Sequence, residues 1–317
     1  MMTAVSLFLL LPTIAFAEPL KIKAKAFTTF KAGVEQRNFG KLEFLGGLIL
    51  KSKHDDFGGL SAFRFMNGST FIAITDKARV ITGTLERKDA RPFKIKGEKI
   101  TRIKDSNGKT ITGAKDKDSE SIAMIENQFL IGYERNDRLM RFNLRGRTLI
   151  ADAAYKIDFE PFDFPENKGL EAIAFDKASR KLFAFAEYAL NSEGNHKGFI
   201  VSNGKIEKEI SVRERNGFSL TDAAFLPDGD LLMLERYYNP LIGPFMQLRR
   251  IARETLETDQ IWDGDVIAYF DNTYEIDNIE GLAISEMDNG ATRLTLVSDD
   301  NFSRNQRTLL LEFKLND

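Results

Sequence analysis

The chain of 317 residues contains no cysteine. Disulfides are excluded, and so are thiolate metal ligands and a lipid anchor at a lipobox. Only two histidines, His54 and His196, are present, which argues against a zinc site built from nitrogen and sulfur. Beyond the first seventeen residues no apolar run approaches the length of a membrane-spanning helix, so stable membrane insertion is not expected. Charge of one sign is lacking too. The formal net charge is -2 and acids and bases are interspersed, which argues against a nucleic-acid binder. Helical periodicity is scarce: Arg249 to Leu256 reads either as a short helix or as the continuation of an outer strand. No G-x-S-x-G elbow, P-loop or EF-hand ladder occurs, so the catalytic and calcium sites tied to those motifs are not supported.

Residues 1–17, MMTAVSLFLLLPTIAFA, combine an apolar run with Ala15-Phe16-Ala17 ahead of Glu18, the pattern of a cleavable secretory signal peptide. The expected product is periplasmic or secreted. Residues 18–317 read as a single domain that must be held by packing over a large core.

Strand signals dominate that domain. Phenylalanine is abundant, at 26 residues, and apolar runs are short and broken by Gly, Asp and Asn. Five segments are related: GGLSAFRF from Gly58, DSESIAMI from Asp118, KGLEAIAF from Lys168, FSLTDAAFL from Phe218 and NIEGLAIS from Asn278. Aligned on their acids they place Ser61, Glu120, Glu171, Asp222 and Glu280 in register, 59, 51, 51 and 58 residues apart. Each is followed, across a turn such as Asn67-Gly68 or Pro227-Asp228-Gly229, by a second strand: Thr70–Asp76, Gln128–Arg135, Lys181–Tyr188, Asp230–Tyr238 and Arg293–Asp300. Hairpins recurring every fifty or so residues predict an all-β protein, a β-propeller with five countable repeats and room for a sixth, degenerate blade. A stacked β-sandwich is the alternative. In a propeller the strand Arg307–Phe313 would pair with Leu42–Leu50 and close the ring, leaving no exposed sheet edge there.

Hairpin geometry puts the start of each first strand beside the end of the second. It pairs Glu171 with Glu187, Ser61 with Asp76, Glu120 with Glu134, Asp222 with Glu235, and Glu280 with Asp299 or Asp300. These rims converge on one mouth of the axial channel. Converging carboxylates repel and are costly to desolvate unless cations compensate. Arg135, Arg236 and Arg304 stand next to or near the acids in sequence, and a hard ion such as calcium is the other solution. Tyr188 follows Glu187 and would flank a ligand at the mouth. The same acids would equally serve as an ion-pair belt that fixes blade register with no substrate involved.

FGGLSAF, KGLEAIAF, and EGLAIS followed by SDDNF occur in an order and spacing that resembles the phytase-like domain family, whose exported bacterial members carry the label esterase-like activity of phytase. The likeness spans roughly Phe39 to Phe313 and includes LGGL at Leu45–Leu48. Ser61, Glu171, Glu187, Glu280, Asp299, Asp300 and Asn301 fall on family-like positions. Ala62 stands where FGGLSG would have glycine. The resemblance implies an exported propeller with phosphoester hydrolase activity. On that reading Glu171, Glu280 and Asp299 are catalytic. Glu171, Glu187, Glu280, Asp299 and Asp300 hold calcium or another hard ion. Arg135, Arg236, Arg304 and Tyr188 bind a small anionic substrate. A carboxylic-ester or lactone hydrolase and a non-enzymatic ligand-binding propeller are the competing functions. Ser61 as a nucleophile lacks a histidine partner in sequence.

Overall fold

A computed structural model describes residues 18–162 and 164–316; residues 1–17, expected from sequence to be a signal peptide, lie outside the described residues. The architecture is a five-bladed β-propeller with almost no helix. From the axis outward, blade one comprises Leu60–Asn67, Thr70–Thr75, Arg79–Lys88 and Arg91–Arg102, with Glu18–Pro19 along its outer edge. Blade two comprises Ser119–Ile125, Gln128–Tyr133, Arg138–Arg145 and Thr148–Asp158. Blade three comprises Leu170–Asp176, Lys181–Leu190, His196–Ser202 and Lys205–Val212. Blade four comprises Ser219–Phe225, Leu231–Asn239, Gly243–Ile251 and Asp265–Phe270. Blade five runs Asn278–Glu286, Thr292–Asp299 and Thr308–Leu315, then takes Leu42–Lys51 and Lys23–Phe27 from the start of the domain. Arg249 to Leu256 divides between the two readings of its sequence: the strand ends at Ile251 and one helical turn, Arg253–Leu256, follows.

The ring closes where the sequence places the closure. Thr308–Leu315 pairs antiparallel with Leu42–Lys51, with Leu310 opposite Leu48. Among the described residues there is no sixth blade. The inner strands are apolar on both faces because each face packs a neighbouring blade: Ala172, Ile173 and Ala174 in blade three are all buried, as are Phe183 to Ala186 beside them. The core is accordingly divided into five apolar clusters, one in each interface between adjacent blades. Such packing supplies most of the stability of a fold without disulfides.

One polar contact crosses the axis. Arg64 leaves the inner strand of blade one and forms a two-pronged bridge to Asp222 of blade four, both contacts at 2.7 Å. Its guanidinium also donates to the carbonyls of Leu282 in blade five (2.7 Å) and Ile173 in blade three (3.3 Å). Asp222 accepts in addition from the backbone of Leu282 and Ala223. A charge this deep persists only when its lone pairs are all matched. The bridge ties four blades together and forms a floor across the channel.

Candidate metal and substrate site

The mouth is built by a local irregularity that every blade shares. Pairing of the first and second strands slips by one residue near the start of the first, leaving one residue bulged and unpaired. A bulge re-aims its side chain, and here it turns the residue toward the axis. The bulged residues are Ser61, Glu120, Glu171, Thr221 and Glu280. The residue two places before each bulge faces the residue of the second strand, or just past it, that stands at the rim. The backbone N–H groups of Asp76, Glu134 and Glu187 donate to the carbonyls of Gly59, Asp118 and Gly169 at 3.0, 2.9 and 2.8 Å. Ser219 faces Arg236, and Asn278 faces Asp299. Two stacked rings result: Ser61, Glu120, Glu171, Thr221 and Glu280 nearest the axis, then Asp76, Glu134, Glu187, Arg236 and Asp299.

Blade four corrects the sequence alignment. Leu220 pairs with Glu235 and Asp222 with Leu234, so Thr221 holds the bulge and Arg236 the outer position. Asp222 is one residue further along and points into the channel floor. Glu235 points between strands, where it forms a fully buried ion pair with Arg249 and accepts from Gln247. Blade four thus contributes a hydroxyl and a cation where the other blades contribute mainly acids.

Glycines let the blades approach at this rim. Gly59 has φ +61°, and a Cβ there would lie 2.6 Å from the ring of Phe302 and against the Asp76 carboxylate. Gly169 leaves room for the Asp137 carboxylate, which accepts from Leu170 N–H at 3.1 Å while Gly169 N–H donates to Glu134 at 3.1 Å. Carboxylates of blade two therefore hold the opening of the KGLE segment that presents Glu171.

The rings open into a cleft of about 940 Å³. Glu171, Glu187, Glu280, Asp299, Arg135 and Arg236 all line it, together with Asp76, Asp118, Glu120, Glu134 and Lys168. Oxygens of Asp118, Glu120 and Glu134 lie within 4.8 Å of one another, and so do those of Glu134, Glu171 and Glu187. Glu134 belongs to both triads. Arg236 spans blades, with Glu187 and Glu280 each at 3.2 Å. Lys168 pairs with Glu187 at 2.6 Å and Arg135 with Asp118 at 2.8 Å. Asn278 donates to Glu280 at 2.7 Å.

Cations are outnumbered, and the carboxyls respond. Burial, reinforced by neighbouring acids, pushes Glu120 and Glu171 well above the usual carboxylate range. Burial likewise lifts Asp76 to about 6, Glu134 and Glu280 to about 7 and Asp299 to about 8. Buried Asp76 Oδ1 and Glu280 Oε2 have no hydrogen-bond partner. An all-oxygen donor set with orphaned atoms suits a hard cation, whose ligands at ~2.3–2.6 Å stand at most ~5 Å apart.

Three residues singled out from sequence lie elsewhere. Asp300 does not line the cleft; it accepts from Gly59 N–H, Phe302 N–H and Thr308 Oγ1, fastening blade five to blade one. Arg304 is exposed, and Arg307 is the arginine of that loop that reaches the cleft. Tyr188 packs edge-on against buried His196, ring centroids 5.3 Å apart. Asp118 and Lys168 have no signature in the sequence as site residues, because they precede the bulge, where an acid or a lysine reads as an ordinary turn residue. Glu120, Glu134 and Asp76 follow from the hairpin rule that gave Glu187.

A family model described as phytase-like, esterase-like activity of phytase, matches residues 55–302. The chain belongs to this family. The comparison with curated proteins finds no match. Among solved structures the chain is similar to Kuenenia stuttgartiensis hydrazine synthase, at 13% identity over 77% of this chain and 78% of that one, TM-score 0.43. It is also similar to a chain in the S. cerevisiae assembly of Dbp5 with Nup159, Gle1, IP6 and ADP, at 12% identity over 89% and 96%, TM-score 0.41. The WD40 domain of Toxoplasma gondii coronin follows at 7% identity over 95% and 88%, TM-score 0.37. These similarities are loose, and nothing about the chain's chemistry follows from them.

Proposed function

We propose that this member of the phytase-like family is an exported hydrolase that cleaves phosphoesters at the double ring with the help of a hard cation, calcium by preference. The observation that carries the reading is the pair of acid triads sharing Glu134, with Lys168 and Arg236 beside them. Glu134, Glu171 and Glu187 would hold the ion, with Asp118 and Glu120 as a second set. Such an ion supplies Lewis-acid polarisation of a phosphoryl oxygen. Arg236, Arg135 and Lys168 offer N–H donors for the remaining phosphate oxygens, a task suited to guanidinium geometry. Asp299, its carboxyl raised to about 8 by burial, retains a proton near neutral pH. That makes it the group to protonate the departing alkoxide, with Glu280 next to it as its relay partner. Export is part of this proposal. Among the described residues no helix is long and apolar enough to cross a membrane.

The test is phosphate release from phytate and from p-nitrophenyl phosphate, with calcium and with chelator. Turnover should require the ion. Glu171→Gln should abolish the calcium dependence, and Asp299→Asn should lower kcat by about 100-fold or more with the fold intact by circular dichroism. Equal turnover in chelator, or wild-type rates in both variants, overturns the reading.

A further inference from the structure

The second and third strands of blade four run on past the rim. Pairing continues beyond Arg236 through Tyr237 opposite Phe245 and Tyr238 opposite Pro244 to Asn239 opposite Gly243. The hairpin therefore stands above the mouth as a crest. It is braced on one side by an aromatic stack: Tyr237 lies 5.8 Å from Phe218 and 5.9 Å from Phe245, and Phe245 lies 6.3 Å from Tyr269. Its tip is fixed by Asn239 Oδ1, which accepts from the N–H groups of Leu241 and Ile242, and by Asn272, which donates to the Ile242 carbonyl at 2.6 Å. This ordered tip presents apolar side chains to water: Leu241 is 97% exposed, Tyr238 58% and Ile242 52%.

Scattered surface hydrophobics are ordinary. These three stand within five residues of one another at the tip of one hydrogen-bonded hairpin, and the base of that hairpin is a wall of the cleft. Tyr237, Tyr238 and Pro244 line the cavity, continued by Tyr274 and Ile276 from the link to blade five. The opposite wall carries Asp76, Asp118, Glu134 and Lys168. The cleft is ionic across blades one to three, whereas the crest side adds an apolar strip of Tyr237, Tyr238, Pro244, Tyr274 and Ile276 among polar residues such as Asn272, Asp277 and Arg307. A densely charged polyphosphate would leave the apolar strip wet. An ester with an anionic head and an aliphatic or aryl stem would cover it. Tyr238 lies two residues beyond Arg236 on an extended strand, roughly 7 Å, so a short stem spans from head to crest.

We propose that the substrate of this site is an amphiphilic phosphate monoester, its head at the double ring and its stem on Tyr238, Leu241 and Ile242. This deepens the hydrolytic reading and rests on it for the identity of the head group. The experiment measures binding by calorimetry, and phosphate release in parallel, for methyl, butyl, hexyl and octyl phosphate below their aggregation thresholds, with calcium present. Affinity should rise about 2- to 4-fold per methylene, the upper figure corresponding to ~0.8 kcal/mol. In Leu241→Ser/Tyr238→Ser, which changes only exposed side chains and should fold normally, the rise should fall to near 1-fold per methylene. A flat series in the wild-type protein overturns the proposal, and so does a slope that survives in the double variant. Absence of phosphate release strikes the hydrolytic reading alone, because a chain-length slope in affinity still supports the crest as a binding surface.

Discussion

The acids of the mouth make a quantitative claim about pH. In the unfolded chain they would titrate near 4. In the folded chain burial holds Glu134 and Glu280 at about 7 and Asp299 at about 8. Between these values the folded protein keeps protons that the unfolded chain has released. The stabilisation is complete at low pH and is lost as pH rises through the folded-state values. His196 acts the other way: burial lowers it to about 4, so it destabilises the fold as pH falls below its ordinary value of 6.5. Between pH ~6.5 and ~8 it returns only ~0.4 kcal/mol, and above pH ~7.5 it is flat, so the carboxyls dominate there. Integrating the proton difference of those three groups from pH ~6.5 to ~8 gives a loss of about 3 kcal/mol. For a domain of about 300 residues that is a fall in Tm of roughly 5 °C. Glu120 and Glu171 shift in the same direction and add to the loss. A cation in the triads would replace the protons of Glu120, Glu134 and Glu171 and reduce the slope, leaving the share of Glu280 and Asp299. At a concentration of ~100 times its Kd it would restore ~2.7 kcal/mol. The assay is thermal or urea unfolding across pH 6.5–8 in chelator and in millimolar calcium, with magnesium as the comparison. A flat or rising Tm in chelator refutes the account of the carboxyls. A slope that calcium leaves unaltered refutes the ion-holding role of the rings.

Two further outcomes are expected. Arg64→Ala strands the Asp222 carboxylate in the channel floor and should cost about 3–5 kcal/mol in urea unfolding, whereas Arg64→Met with Asp222→Leu should recover most of it; a loss below ~1 kcal/mol for the single variant would show that the bridge does not hold the blades. Gly59→Ala forces a Cβ into the left-handed backbone and against Phe302 and the Asp76 carboxylate, so about 2–4 kcal/mol should be lost in urea unfolding.

Much of the fold is legible in the chain because propeller blades repeat. The spacing of the hairpins, their turn residues and the apolar Leu42–Leu50 segment that meets Thr308–Leu315 are all local signals. The rim pairs Glu171 with Glu187 and Glu120 with Glu134 follow from hairpin geometry alone. Blade four hides its register for a physical reason. Aligning on acids puts Asp222 and Glu235 in the rings, whereas the geometry follows the residue before the bulge, which is apolar in four blades (Leu60, Leu170, Leu220 and Ile279) and Ser119 in blade two. Matching on those residues puts Thr221 and Arg236 in the rings. Arg64 with Asp222 had no signature, since the partners stand 158 residues apart and meet only across the axis. The loop from Asp299 to Arg307 has no periodicity, and its turn at Asn301 and Phe302, both with positive φ, decides which arginine reaches the cleft.

The departure of blade four from the acidic pattern gives the mouth a direction. Five identical blades would present acids all round, and a phosphate would be repelled from every side. Here the interlocked triads belong to blades two and three. The proton-retaining pair, Glu280 and Asp299, belongs to blade five. Arg236 lies between them, in contact with Glu187 on one side and Glu280 on the other. On the proposed reading a phosphoryl group would sit over Arg236 with its charge toward blades two and three and its leaving oxygen toward blade five. Thr221 beneath it keeps the centre of blade four free of a competing carboxylate, and the crest above extends from the same strand as Arg236. A Thr221→Glu substitution would make the inner ring more uniform and should weaken anion binding while strengthening cation binding. Opposite signs for the two ligands are the test, because general disruption of the mouth would weaken both.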